Sequence, residues 1–186
     1  MEDLRRAYLY IKVNNGNDVI SFLETYNEFH VNNLQDGYLE INYEKNIGPE
    51  IFVKARKIAI EELYQDFTVF ICPIKFDFRM KEILEMLPIL NPGIFTMDTF
   101  IPDIVLLNKT ELISKLRDYY YNRFSPETID TILGFINSNM NASKTAKKLY
   151  MHRNTLNYRL DNFISKTEID VRKFKGAIAM YLLFKR

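Results

Sequence analysis

The stretches "RAYLYIKV" (residues 6–13), "GYLEINYEK" (37–45) and "DFTVFICPIKF" (66–76) alternate apolar with polar residues or run apolar throughout. They are rich in β-branched and aromatic residues and predict strands. Between them, "DVISFLETYNEFH" (18–30) and "PEIFVKARKIAIEELYQ" (49–65) carry apolar positions at helical spacing. The alternation predicts a small N-terminal α/β domain of βαβαβ type. "LEMLPILNPGIFTMDTFIPDIVLL" (84–107) follows, rich in proline and apolar residues, and reads as a packed connector with a boundary near Asn108.

From there the pattern turns helical. "ELISKLRDYYYNRF" (111–124) opens the helical part, its aromatics suited to packing. In "SPETIDTILGFINSNMN" Ser125 suits a helix cap, Pro126 the first helical position and Glu127 the positive end of the helix dipole. Ile129, Ile132, Leu133, Ile136 and Met140 then fall on one apolar stripe. Asn141 ends this helix and caps the next, in which Ala142, Ala146 and Leu149 face one way and Lys144, Lys147 and Lys148 another. A third helix, from about Arg153 to about Ile164, buries Leu156, Leu160, Phe163 and Ile164. Only "YMH" separates the two. The fold class expected is therefore α+β: residues 1–107 a small α/β domain, residues 108–186 an all-α domain.

Composition narrows the function. No apolar run in the 186 residues spans a bilayer, and "MEDLRRAYLYIKVNN" lacks a signal peptide's apolar core, so a cytoplasmic protein without membrane contact is expected. The single cysteine, Cys72, excludes an intrachain disulfide and a cysteine-rich zinc site. Net charge is +1, but residues 1–140 hold 14 Lys and Arg against 21 Asp and Glu (−7), whereas residues 141–186 hold 11 against 3 (+8). A basic segment beside an acidic remainder is the footprint of a nucleic-acid module attached to something kept off phosphate.

Two short helices joined by about three residues, with a small alanine at their approach, describe a helix-turn-helix. The second helix presents Arg153, Asn154, Thr155, Asn157 and Tyr158 away from Leu156 and Leu160. Arginine suits guanine, asparagine adenine, and threonine either a base edge or a phosphate. Amides at the helix start offer an anion site, as do Ser143 and Lys144 at the preceding helix. Lys144, Lys147 and Lys148 supply sequence-independent attraction to phosphate. His152 can cap the helix and touch a phosphate. Arg159 lies nearer the buried side, where an acidic partner is expected. The competing reading is the polar face of an ordinary packing helix.

"NASKTAKKLYMHRNTLNYRLDNF" resembles the C-terminal helix-turn-helix of the PucR/CdaR family of bacterial regulators. The residues that carry the likeness are His152, Arg153, Asn154, Thr155, Leu156, Tyr158, Arg159 and Leu160. The resemblance runs from about Ser125 to the end, with "EIDVRKFKGAIAMYLLFKR" in the place of the closing helix. There Phe174, Ala177, Ile178, Tyr181 and Leu182 form a stripe and Gly176 permits a close backbone approach. It implies sequence-specific binding of double-stranded DNA, usually as dimers, and a degenerate GGDEF-like domain in front, although no residues here carry that second likeness. Two departures stand out: Tyr150 occupies a turn position where many helix-turn-helix motifs have glycine, and "KTEID" lacks the glycine expected between the third and fourth helices.

The expectation is a homodimeric DNA-binding transcriptional regulator, with a small-molecule effector or a protein partner at the N-terminal domain. The alternatives are a Fis-like architectural DNA-binding protein, a protein-interaction module or an enzyme. Catalysis, a cofactor and a metal are not expected. The six glycines form no phosphate loop, His30 and His152 have no metal-ligand spacing, Glu61 and Glu62 read as solvated, and Cys72 reads as a buried thiol.

Overall fold

A computed structural model describes residues 4–12 and 16–185; Val13, the end of the first expected strand, lies outside them. Contacts divide the chain into two compact units, one of residues 1–74 and 79–96, the other of residues 75–78 and 97–186. The chain is α+β.

In the first unit the described residues form β1 (Leu4–Ile11), α1 (Gly16–Glu24), β2 (His30–Gln35), β3 (Tyr38–Glu44), α2 (Glu50–Leu63), β4 (Phe67–Ile71), α3 (Met80–Leu84) and β5 (Ile94–Phe95). The sheet order is β2-β3-β1-β4-β5. β3 and β4 both flank β1 antiparallel, and β5 joins β4 in parallel. The first four strands and two helices thus have the split βαβ, ferredoxin-like arrangement. The period of two explains the core: Ala7, Leu9 and Ile11, Leu39, Ile41 and Tyr43, and Phe67, Val69 and Ile71 share one cluster with Val19 and Leu23 of α1 and Phe52, Ala55 and Ala59 of α2. Cys72 is buried.

Two readings of this region change. The helix expected over residues 18–30 stops at Glu24, and "HVNNLQ" becomes a strand, adding one to the βαβαβ pattern. The split between units falls at Thr96/Met97 rather than near Asn108. Half of the supposed connector is α4 (Met97–Leu106), which buries Met97, Phe100, Ile101 and Ile104 and packs on the last helix of the second unit.

The second unit continues with α5 (Thr110–Arg123), α6 (Pro126–Asn137), α7 (Ala142–Lys148), α8 (Arg153–Thr167) and α9 (Phe174–Phe184). Tyr120 of α5 is 1% exposed, with its ring 6.1 Å from Phe163 and 6.4 Å from Phe184. Burial pushes its phenol pKa upward. Arg117 donates from Nε and Nη2 to the Leu183 carbonyl at 3.0 and 2.9 Å, placing a cation on the negative end of α9.

Two stripe assignments are corrected. Met140 is exposed because α6 ends at Asn137, and Asn139 and Met140 both take left-handed φ; Thr128, Ile129, Thr131, Ile132 and Phe135 form the buried face. Phe174 is 74% exposed, and Ile178, Tyr181 and Leu182 are only half-buried. α9 instead buries Gly176, Ala177, Ala179, Met180, Leu183 and Phe184, a wide face set by its contacts with α4, α5 and α6.

Candidate nucleic-acid interface

The turn between α7 and α8 is built from local hydrogen bonds. Asn141 caps α7, its side-chain oxygen accepting from the Lys144 amide at 2.9 Å. At the other end Met151 N–H donates to the Ala146 carbonyl at 3.0 Å and Tyr150 N–H to that of Lys147 at 3.4 Å. These bonds, with Tyr150 at φ 52°, form a Schellman close. A tyrosine thus holds the left-handed position that glycine takes more cheaply, its side chain wholly in solvent. Thr145 and Ala146 are buried under α8, and Leu149 lies over Gly134 of α6, where an added Cβ would meet its Cδ1 at 2.9 Å. His152 then caps α8: its Nδ1 accepts from the Asn154 amide at 3.2 Å. In the neutral imidazole this leaves Nε2 carrying the proton, free to donate outward.

α8 separates its two faces cleanly. Leu156, Leu160, Phe163 and Thr167 are buried. Arg153, Asn154, Thr155 and Tyr158 are exposed and Asn157 is half-buried. Ser143, Lys144, Lys147, Lys148 and His152 are exposed as well. All ten candidate residues thus lie on α7, α8 and the turn between them. The amides expected to be free for an anion are partly committed, since Lys144 and Asn154 spend theirs on the caps.

Arg159 departs from expectation. Its Nη1 donates to the Thr131 hydroxyl at 2.8 Å and to the Glu127 carbonyl at 3.2 Å, tying α8 to α6 through neutral acceptors rather than a carboxylate. The Glu127 side chain is held below the usual carboxylate range, chiefly by the Ser125 hydroxyl and then by its own amide, with the Arg159 charge adding a little.

Beyond α8, Glu168 takes φ 59°, a left-handed position in the "KTEID" stretch where a glycine is expected from the resemblance. The following loop brings in a residue that the sequence reading did not single out. Arg172 Nη1 lies 2.6 Å from Asp161 Oδ1 on α8, and Lys173 lies 3.5 Å from Asp170. The signal was present as "RKFK", three cations in four residues ahead of an apolar run. Gly176 explains the loop's close seat: a Cβ there would lie 2.2 Å from the Asp170 carbonyl oxygen.

Two short helices set by a Schellman close and a capped second helix define the helix-turn-helix class of module. The model of the PucR C-terminal helix-turn-helix domain matches residues 128–185, so the chain carries a DNA-binding domain of PucR type. Among curated relatives, the uncharacterized protein YxkF of Bacillus subtilis (strain 168) is 37% identical over 92 residues, 47% of this chain and 31% of that protein. The proline-responsive transcriptional activator PutR of the same organism is 31% identical over 75 residues, 40% of this chain and 18% of that protein. The match thus spans less than a third of either relative's length. In fold the chain is similar to the crystal structure of a regulator of polyketide synthase expression from Bifidobacterium adolescentis, with a TM-score of 0.50 and 18% identity over 97% of this chain and 78% of that one. No helix among the described residues is long and apolar enough to cross a membrane.

Proposed function

We propose that this chain is a sequence-specific transcriptional regulator of double-stranded DNA, in which α8 enters the major groove N-terminus first. The observation that carries the reading is the exposed row Arg153, Asn154 and Thr155 on the first turn of α8, backed by the buried Leu156 and Leu160 and set at a fixed angle by the His152 and Asn141 caps. Arg153 and Asn154 supply base-edge donors, while Thr155, Asn157 and Tyr158 reach flanking edges or sugar. His152, Ser143, Lys144, Lys147 and Lys148 meet phosphates. Relatives named as an activator and as an expression regulator support a role in transcription rather than catalysis.

The acidic first unit serves as the sensing or dimerising part, in the cytoplasm, taking a small-molecule effector or a protein partner. One recognition helix reads too few base pairs to choose among ~10⁶ genomic sites, so a two-fold partner is required for the specificity proposed. The test is selection of bound duplexes from random sequence, followed by affinity for the selected site and for bulk DNA. A preference of ~10³ or more at physiological salt is expected. A preference near unity makes the chain a shape-tolerant, Fis-like architectural binder, and no binding to any duplex overturns the reading.

A further inference from the structure

We propose that Arg172, Lys173 and Lys175 form a second phosphate-contacting strip, mounted on the outer face of α8 through Asp161, that meets the DNA backbone at the rim of the groove whose floor Arg153 reads. The proposal rests on α8 being the helix that enters the groove.

Asp161 follows Asn154 by seven residues and Tyr158 by three, so all three lie on one line of the helix, opposite Leu156, Leu160 and Phe163. At 1.5 Å per residue, Asp161 stands about 12 Å up the axis from Arg153, more than the major groove's depth of about 8.5 Å, so with Arg153 at the floor Asp161 lies at the rim beside the phosphates. A bare carboxylate at that place would repel the phosphate wall it faces. It is not bare: Arg172 bonds it at 2.6 Å. That bond uses one of the five guanidinium N–H groups and leaves others to solvent or phosphate. Both partners are well exposed, at 39% and 64% of their side chains. An ion pair so open adds little to folding, so stability alone does not account for the arginine.

The mount is rigid. Asp170 accepts from the Arg172 amide at 3.1 Å through its side chain and from the Lys173 amide at 3.0 Å through its carbonyl. Gly176 then packs on that same carbonyl with no room for a Cβ. Lys173 and Lys175 point outward on either side of the exposed Phe174. The two aspartates offset two of the three cations, so the strip acts by placing donors against a backbone already held by α8 rather than by bulk charge.

The test is equilibrium binding of the full chain to a random-sequence duplex of ~30 base pairs across a salt series, with the site selected above as a second probe. Arg172→Gln is expected to lower the slope of log K against log salt by about 0.9, and the pair Lys173→Gln and Lys175→Gln by up to about 1.8, equally on both probes. Each lost contact makes the affinity loss between ~50 and ~200 mM salt about 3.5-fold smaller. The double variant Asp161→Asn with Arg172→Gln keeps the lowered slope if Arg172 meets phosphate. A double variant with wild-type slope would show that Arg172 only neutralises Asp161, and the proposal falls. Arg172→Gln without effect, while Arg153→Ala weakens binding, overturns the strip and leaves α8 in the groove; both without effect removes α8 as well.

Discussion

Arg153 and Arg159 belong to the same short motif, yet they should fail in opposite ways when replaced by alanine. Arg159 is spent inside the unit: its guanidinium reaches the Thr131 hydroxyl at 2.8 Å and the Glu127 carbonyl at 3.2 Å. Thr131 is 1% exposed, and its hydroxyl already donates to the same Glu127 carbonyl at 2.6 Å. Removing Arg159 therefore deletes one short charge-assisted bond and one longer one, and leaves a buried hydroxyl oxygen without its donor. A hydrogen bond to a charged group contributes about 1.5–3 kcal/mol net, so Arg159→Ala should destabilise the helical unit by about 2 kcal/mol. For a unit of this size that is a fall of about 10 °C in Tm, read by far-ultraviolet circular dichroism. The salt slope of DNA binding, measured well below the new melting point, should not change. Arg153→Ala should do the reverse, with Tm held within the spread of surface substitutions and specific binding weakened by about 1–3 kcal/mol. Lysine at position 159 should rescue only in part, because its stem is shorter than the reach to Nη1, from which both bonds are made, and its ammonium is more strongly hydrated. An Arg159→Ala protein of unchanged stability and with a slope lowered by about 1 would place this side chain on phosphate and refute the assignment of faces on α8.

Leu156, fully buried between α8 and the rest of the unit, should not tolerate aspartate; Leu156→Asp is expected to lose the helical melting transition entirely, and a folded, DNA-competent variant would contradict the packing described. Tyr150→Gly relieves a left-handed residue whose side chain touches nothing, so after the entropy cost of glycine it should raise stability by up to about 1 kcal/mol, whereas a lower Tm would show that the ring is engaged. Burial pushes the phenols of Tyr8 and Tyr119 up to about 12, with the Asp77 carboxylate adding to the second by hydrogen bonding. Because their folded pKa values lie above the unfolded ones, the stability they contribute is complete below about pH 10 and is lost as pH rises through about 12. Melting temperature against pH in that window should fall, and fall less for Tyr119→Phe; curves that superimpose would mean that Tyr119 ionises as freely as in the unfolded chain.

The parts of this fold legible in the sequence are those decided within one or two turns of chain. The Asn141 cap, the start of α8 at Arg153, and Leu156, Leu160 and Phe163 on one face follow from local spacing and side-chain chemistry, and each is found where that chemistry puts it. The misread segments are those in which a distant partner overrides the local signal. "HVNNLQ" has two apolar residues in six and becomes a strand only because β3 offers its ladder. Pro102 inside α4 removes an amide donor and argues against a helix, yet Phe100, Ile101 and Ile104 gain enough by packing in the unit containing α9 to outweigh it. Met140 joins the stripe only if the helical count runs past Asn137, where the left-handed Asn139 and Met140 have already left the helix. The same division runs through the candidate interface. Which residues α8 exposes is a matter of period, but what Arg159 and Arg172 do is not: one is bound 28 residues away on α6, the other 11 residues away on α8. An arginine's donors are satisfied by whatever the tertiary structure brings within 3 Å, and charge on a helical wheel does not name that partner. Counting cations along the motif would credit Arg159 with phosphate contact; the hydrogen bonds commit it to α6 instead and join Arg172 to Asp161.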